Sequence, residues 1–116
     1  MINYGKHYID QKDIKAVVST LKSDFLTQGP KVIEFEKKLN SLCGSKYTCA
    51  VSSGTAALHL AILSLGIKKN DNVITTPMTF LASANSILYA GARPIFVDID
   101  KKNYLIDLKK LEKKLI

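Results

Sequence analysis

Residues 47–66 constrain the fold of this chain more than any other stretch. The run from Tyr47 to Val51 predicts a buried β-strand, and the apolar run from Ala56 to Leu65 predicts a helix. Between them stand two serines, a glycine and a threonine, residues 52–55. Small hydroxylated residues at such a junction let the backbone turn tightly and leave the first N–H groups of the helix without an intrahelical partner.

The start of this helix is therefore a candidate anion-binding site. Its unpaired N–H groups lie at the positive end of the helix dipole, where phosphate is a common ligand. The alternative is a helix that is capped by Ser53 or Thr55 and binds nothing, and the junction alone leaves both open.

Helical patterns precede the junction. Asp10 is predicted to cap a first helix that ends near Ser23, and Pro30 to begin a second that ends at Gly44. Apolar residues recur along each at helical spacing and predict a buried side: Ile14, Val17, Val18 and Leu21 in the first, and Val32, Phe35, Leu39 and Leu42 in the second.

Two further strands are predicted after the junction, at 72–76 and 93–98, with helices at 80–90 and 108–116. Gly66 is predicted to cap the junction helix. Three apolar strands that alternate with helices indicate an α/β fold with a parallel sheet, its strands buried on both faces. Because three strands cover themselves poorly and the sequence ends in a helix, we expect part of a larger domain.

Composition limits the classes of partner. The chain has 116 residues and a net charge of +7, but its 17 basic residues include a single arginine, Arg93. Lysines alternate with leucines after residue 107, as on the exposed face of an amphipathic helix, so we expect no nucleic-acid partner. We also expect no membrane span, a cytoplasmic location, and no metal site, with Cys43 and Cys49 reduced and buried.

In open α/β sheets, ligands bind beyond the carboxyl ends of the strands. Three segments follow such strand ends: the junction after the first strand, a loop with Phe80 after the second, and Asp98-Ile99-Asp100 after the third. A phosphate site beside an aromatic ring suits a flat, phosphorylated heteroaromatic ligand. Phe80 alone is more typical of a core aromatic, but its combination with the phosphate site favours the ligand. The dinucleotide fingerprint, the P-loop and the nucleophile elbow are all absent from the sequence.

Four ordered segments resemble the DegT/DnrJ/StrS family of nucleotide-sugar aminotransferases. They are residues 26–30 followed by Phe35-Glu36, then 53–61, 74–80 and 90–100. The resemblance covers nearly the whole chain. It implies the N-terminal part of a fold-type I large domain, a mostly parallel sheet with flanking helices, and pyridoxal 5′-phosphate (PLP) as cofactor.

The resemblance also implies site residues. The backbone at Gly54, Thr55 and Ala56 would bind the PLP phosphate, and Phe80 would stack on the pyridine ring. Within the family, the chain is similar to transaminases of pseudaminic acid synthesis, which act on a UDP-linked 4-keto-6-deoxy sugar. The residues that match their substrate contacts are Tyr4, Asp24, Phe25, Leu26, Thr27 and Ser53. Asp24 and Phe25 depart from one form of that pattern.

The family's catalytic lysine and the carboxylate that pairs with the pyridine nitrogen would lie beyond residue 116. We therefore expect residues 1–116 to be an incomplete PLP-binding domain without activity of its own. The resemblance implies an amino donor, with glutamate expected, and a homodimer. Two alternatives stay open: a PLP-dependent sugar dehydratase of the same family, and a non-catalytic α/β module that binds a phosphorylated ligand.

Overall fold

The computed structural model describes residues 5–115 of the chain. It has an α/β architecture whose elements follow the predicted order closely: α1 (Gln11–Leu21), α2 (Pro30–Cys43), α3 (Gly54–Ser64), β1 (Asn72–Thr75), α4 (Leu81–Tyr89), β2 (Arg93–Phe96) and α5 (Leu108–Leu115). The chain divides after Ala50 into two compact units. Each unit is described by itself below.

In the first unit, α1 begins with the predicted cap. The Asp10 carboxylate accepts hydrogen bonds from the amides of Lys12 and Asp13 at 2.7 and 3.0 Å, and the Asp13 carboxylate accepts one from the Asp10 amide at 2.9 Å. This reciprocal capping box satisfies N–H groups that the first helical turn leaves without a partner.

The ends of α2 also match their predictions. Pro30 is the first residue of α2, where a missing N–H has no cost. Gly44 directly follows the last residue of α2 and has φ +65°, a left-handed conformation that glycine adopts without a Cβ clash.

The predicted strand at 47–51 is wrong, because residues 45–51 form no strand in the described chain. An apolar, β-branched run becomes a strand only when another segment pairs with it, and no described segment does so. Tyr47 is 78% exposed rather than buried. This stretch is instead held by side chains of α2: Glu36 accepts from the Ala50 amide, and Asn40 accepts from the hydroxyls of Ser45 and Thr48.

The predicted burial of the first two helices is also wrong for the described residues. All four stripe residues of α1 are exposed, as are Val32, Phe35 and Leu42 of α2, while Leu39 is half-buried. The helical spacing of apolar residues identifies the side that can be buried, but burial also requires a neighbouring layer, and the described residues of the first unit form only two helices. Cys43 and Cys49 are free thiols and, contrary to expectation, exposed.

The second unit is built around a βαβ element. β1 and β2 pair in parallel, with Asn72 opposite Arg93 and Thr75 opposite Phe96, and α4 connects them. α3 packs against α4, with the His59 and Tyr89 rings edge to face at 5.5 Å between centroids. Of the three predicted strands, the two in this unit form, so the sheet built by the described residues has two strands rather than three.

The buried core of this unit lies between α4 and the sheet. Ile87 and Val97 are each only 2% exposed, and Ala82, Ser86 and Ala92 are also buried. The strands themselves are no more than half-buried, so the expectation of strands covered on both faces is wrong for the described residues. A two-stranded sheet with helices packed on it has too few layers to cover both faces.

α3 ends at Ser64, two residues before the predicted cap. Leu65 is its C-cap, and Gly66 follows with φ +75°. The helix therefore stops because Gly66 takes the left-handed conformation, as its position in the sequence predicted. None of the helices described between residues 5 and 115 combines the length and apolar character that crossing a membrane requires.

The core makes a graded stability prediction. Ile87→Ala should lower the free energy of unfolding by about 3 kcal/mol because it leaves a cavity, whereas Ile87→Val, which removes one methyl group, should cost about 1 kcal/mol. Urea denaturation of the intact protein measures both. Equal and small effects of the two substitutions would show that Ile87 does not lie in a close-packed core.

Candidate functional site

The start of α3 has the geometry of an anion-binding helix terminus. Ser53 is the N-cap: its Oγ accepts a hydrogen bond from the Ala56 amide at 3.1 Å, and its carbonyl accepts one from the Ala57 amide at 3.1 Å. Of the first four helical N–H groups, those of Gly54 and Thr55 thus have no acceptor among the described residues. The hydroxyl cap and the anion site are therefore not alternatives, since the cap uses only part of the terminus.

The space beside Gly54 is open, and the first turn of α3 carries no acidic side chain. A Cβ built on Gly54 would meet no atom within 4 Å. Ser53 and Gly54 are exposed, whereas Thr55 and Ala56 are half-buried. An anion can approach the Gly54 and Thr55 amides directly, with the helix dipole in its favour.

Phe80 lies at the start of the neighbouring helix. It is the N-cap residue of α4, at the end of the loop that leaves the carboxyl end of β1. Its side chain is 79% exposed, so among the described residues it is not a core aromatic. Since α3 and α4 pack together, the two groups of candidate cofactor residues begin two neighbouring helices.

The loop after β2 carries an ion pair that the sequence analysis did not predict. Lys110 Nζ lies 2.8 Å from Asp98 Oδ2, and Asp107 caps α5 by accepting from the amides of Lys109 and Lys110. The hydrogen bond from Lys110 lowers the pKa of Asp98, helped by one from the Ile99 amide, and the same bond raises the pKa of Lys110. The sequence signal for this pair was a lysine on α5, Lys110, that follows Asp98 by twelve residues.

This ion pair fastens the chain after β2 to α5, because Asp98 follows β2 and Lys110 belongs to α5. Ile99 also forms an isolated antiparallel bridge with Ile106, which closes the loop. Among residues 5–115, no three His, Cys, Asp or Glu side chains are grouped as a metal site would require.

The candidate substrate residues of the first unit lie in the loop between α1 and α2. Asp24, Phe25, Leu26 and Thr27 are all exposed. The loop is tight: a Cβ on Gly29 would come within 2.9 Å of the Phe25 Cβ, which explains the glycine. Tyr4 lies outside the described residues.

Comparison with known proteins decides the family. Residues 7–116 match the DegT/DnrJ/EryC1/StrS aminotransferase family. The chain belongs to this family. The UDP-4-amino-4,6-dideoxy-N-acetyl-beta-L-altrosamine transaminase of Campylobacter jejuni is 50% identical over all 116 residues, and the chain spans 30% of that relative's length.

Solved structures share the fold. Spr1654 of Streptococcus pneumoniae, described as a sugar aminotransferase and solved in a PLP form, superposes with a TM-score of 0.91 at 36% identity, over 97% of this chain and 29% of its own. The GDP-4-keto-6-deoxy-D-mannose-3-dehydratase of E. coli, with bound hydrated PLP, gives a TM-score of 0.87 at 33% identity, over 97% of this chain and 31% of its own. The predicted fold class, the N-terminal part of a PLP-dependent transferase fold, is confirmed.

Aminotransferases of the DegT type use PLP, and the start of α3 fits this cofactor chemically. PLP carries a phosphate dianion, which needs N–H donors and no nearby carboxylate. The free amides of Gly54 and Thr55, the open space at Gly54 and the absence of acidic residues in the first turn meet those needs. The family prediction made from sequence is confirmed, and so is the family's cofactor.

The Asp98–Lys110 pair makes a pH prediction. The pKa of Asp98 is lower in the folded protein than in the unfolded chain. The stability that Asp98 contributes to the fold is therefore present above its unfolded pKa and is lost as the pH falls through its folded pKa. Because the pKa of Lys110 is raised, its part is present at lower pH and is lost as the pH rises through the folded value.

Lys110→Gln should therefore lower the melting temperature modestly near neutral pH, and the difference from wild type should vanish in strong acid. Thermal melts of the intact protein over a pH series measure this. Lys109→Gln is the matched control, since Lys109 makes no ion pair among the described residues. A difference that persists unchanged into strong acid would contradict an electrostatic origin.

Proposed function

We propose that this chain is the N-terminal part of a PLP-dependent nucleotide-sugar aminotransferase. In this proposal residues 1–116 form an incomplete PLP-binding large domain, and the whole protein transfers an amino group to a UDP-linked 4-keto-6-deoxy sugar in pseudaminic acid or related surface-polysaccharide synthesis. The 50% identity to the Campylobacter jejuni transaminase over every residue of the chain supports the substrate class. The single observation that carries the cofactor role is the pair of free amides at Gly54 and Thr55.

The phosphate of PLP would be held at the start of α3. The Gly54 and Thr55 amides donate to it, and the Ser53 cap keeps them pointed outward by fixing where the helix begins. The Ala56 amide already donates to Ser53 Oγ at 3.1 Å, so Ala56 would contribute by sharing this hydrogen atom between the hydroxyl and a phosphate oxygen. Gly54 and Thr55 therefore carry most of the binding.

Phe80 would cover one face of the pyridine ring. Its exposed side chain is free to stack, and an aromatic ring on a flat heterocycle contributes both dispersion and exclusion of water. This contact orients the ring while the amides hold its phosphate.

The bound cofactor supplies an electron sink for cleaving bonds at the carbon that carries the amino group. The chain's own residues hold and orient it. Substrate contacts would come from Tyr4, Ser53 and the α1–α2 loop at Asp24, Phe25, Leu26 and Thr27. We further propose glutamate as amino donor, a homodimer, and a cytoplasmic enzyme with no nucleic-acid or membrane partner.

The cofactor role of Phe80 is tested by substitution. In the intact protein, Phe80→Leu should weaken PLP binding about fivefold, because it removes ring stacking but keeps an apolar side chain. Phe80→Tyr should bind PLP nearly as wild type does. Phe96→Leu is the matched control, since Phe96 is a partly exposed aromatic residue of the same unit. PLP titration of the apoprotein, followed by absorbance, measures all three, and unchanged binding by Phe80→Leu would exclude the stacking role.

A second prediction concerns the polypeptide of residues 1–116. PLP transamination needs a lysine that bonds to the cofactor and moves a proton, and no lysine of this chain matches the family's catalytic position. The isolated polypeptide should therefore transfer no amino group, whereas the intact protein should. A coupled assay with glutamate and the keto sugar measures this. Turnover at a normal enzymatic rate by residues 1–116 would overturn the proposed domain assignment.

A PLP-dependent sugar dehydratase is the second candidate function. The match to the E. coli dehydratase favours it, since the chain superposes on that enzyme at least as well as on the aminotransferase from Psychrobacter cryohalolentis. In such a dehydratase a histidine would replace the catalytic lysine of the family's aminotransferases. Sequencing the intact protein at that position discriminates the two: lysine supports amino transfer, and histidine supports dehydration.

A further inference from the structure

We propose that the hydroxyls of Thr79 and Ser83 are a positioning pair for Phe80: their hydrogen bond ties the residue before Phe80 to the first turn of α4 and so sets the direction in which the ring leaves the chain. All three residues belong to the second unit. This inference rests on the proposed stacking of Phe80 on the cofactor. Thr79 and Ser83 act through the backbone of Phe80 and not by touching the cofactor.

The pair is one direct contact between two side chains. Thr79 Oγ1 and Ser83 Oγ lie 2.9 Å apart, a distance at which either hydroxyl can donate a hydrogen bond to the other. Thr79 is exposed, and Ser83 is half-buried. Because the two residues are four apart in sequence, the bond closes one turn of chain, and Phe80 lies inside that turn.

Ser83 also holds Phe80 through its backbone. The Ser83 amide donates to the Phe80 carbonyl at 3.0 Å, and Phe80 has the extended backbone of an N-cap residue, with φ −69° and ψ 144°. The hydroxyl of Ser83 thus binds the residue before Phe80, and its amide binds Phe80 itself. Since the backbone atoms fix the direction of the Cα–Cβ bond, these two hydrogen bonds leave the ring only its side-chain rotamers.

Phe80 cannot supply such a hydrogen bond itself. An N-cap residue usually accepts from an amide of the first helical turn through a side-chain oxygen, and a phenylalanine ring has none. Thr79 and Ser83 provide the side-chain hydrogen bond at the start of α4 that Phe80 lacks. The helix can therefore begin at an aromatic residue and still have a well-defined start.

Ser83 is itself fastened to the core of the second unit. Its carbonyl accepts a hydrogen bond from the Ser86 hydroxyl at 3.1 Å, and Ser86 is only 2% exposed. Its neighbour Ala82 is also buried. The first turn of α4 is thus packed into the unit, and Thr79 is tied to this packed turn.

The loop that leads to Thr79 is held at its other end by the sheet. The Val97 amide donates to the carbonyl of Thr75, the last residue of β1, at 2.9 Å. Pro77 fixes one of the backbone angles that follow. A loop that is constrained at both ends presents Phe80 in few arrangements, so less conformational entropy is lost when the ring binds a partner.

Variants of the intact protein isolate the hydrogen bond. Thr79→Val keeps the shape of threonine but removes its hydroxyl, Ser83→Ala removes the other hydroxyl, and Thr79→Ser keeps the hydroxyl while it removes a methyl group. Ser64→Ala is the matched control. Ser64 is an exposed serine at the last residue of α3, and its hydroxyl donates to a carbonyl of its own helix.

Two measurements are made on each variant: hydrogen–deuterium exchange of the apoprotein over residues 76–84, and the Kd for PLP by titration. Thr79→Val and Ser83→Ala should each speed exchange and raise the Kd about threefold, because the arrangement that binds becomes a smaller fraction of the ensemble. The double variant should lose no more than either single one, since both remove the same bond. Thr79→Ser and Ser64→Ala should match wild type.

Phe80→Ala distinguishes positioning from a direct contact. In this background, Thr79→Val should cause no further loss of PLP affinity, because the ring through which Thr79 acts is gone. An additional threefold loss would show that the Thr79 hydroxyl contacts the cofactor itself and would overturn the positioning role. Wild-type exchange and affinity in both Thr79→Val and Ser83→Ala would overturn it as well.

The same variants test the stacking of Phe80 separately. If Phe80→Ala weakens PLP binding while the hydroxyl variants do not, the stacking role stands and the positioning pair is refuted. If Phe80→Ala binds PLP as wild type does, the proposed stacking fails, and the positioning role fails with it.

Discussion

The hydrogen bond from the Ala56 amide to the Ser53 hydroxyl decides what the start of α3 can do. It fixes the first residue of the helix and uses one N–H group, while the Ser53 carbonyl uses another. The Gly54 and Thr55 amides are then left without a partner at the helix end, with open space beside Gly54. A serine cap followed by a glycine thus produces both a stable helix end and a place for a phosphate.

The elements after the junction were predictable because each is determined locally. Gly66 and Asp107 end or begin helices through their own backbone or side chain, and the strands at β1 and β2 pair with each other inside one βαβ element. The start of α3 was predictable for the same reason, since a small-residue turn before an apolar helix carries its consequences within a few residues.

What sequence reasoning missed depends on partners distant in the chain. The run at 47–51 has strand composition but no described partner, so it is held by Glu36 and Asn40 instead. The apolar sides of α1 and α2 were predicted to be buried, yet among the described residues of the first unit most of them are exposed. The Asp98–Lys110 pair also required knowing that α5 returns to the end of β2. The spacing of apolar residues in the sequence predicts which surface can be buried or paired. Whether it is buried or paired depends on which other elements the fold places beside it.

Family membership and local geometry together point to one central claim, that the amides at the start of α3 hold the phosphate of PLP while Phe80 covers the ring. The most direct measurement is a crystal structure of the intact protein with PLP. The account predicts phosphate oxygens about 2.9 Å from the Gly54 and Thr55 nitrogens, with the Phe80 ring stacked on the pyridine. A phosphate bound elsewhere, with these amides still facing solvent, would contradict it.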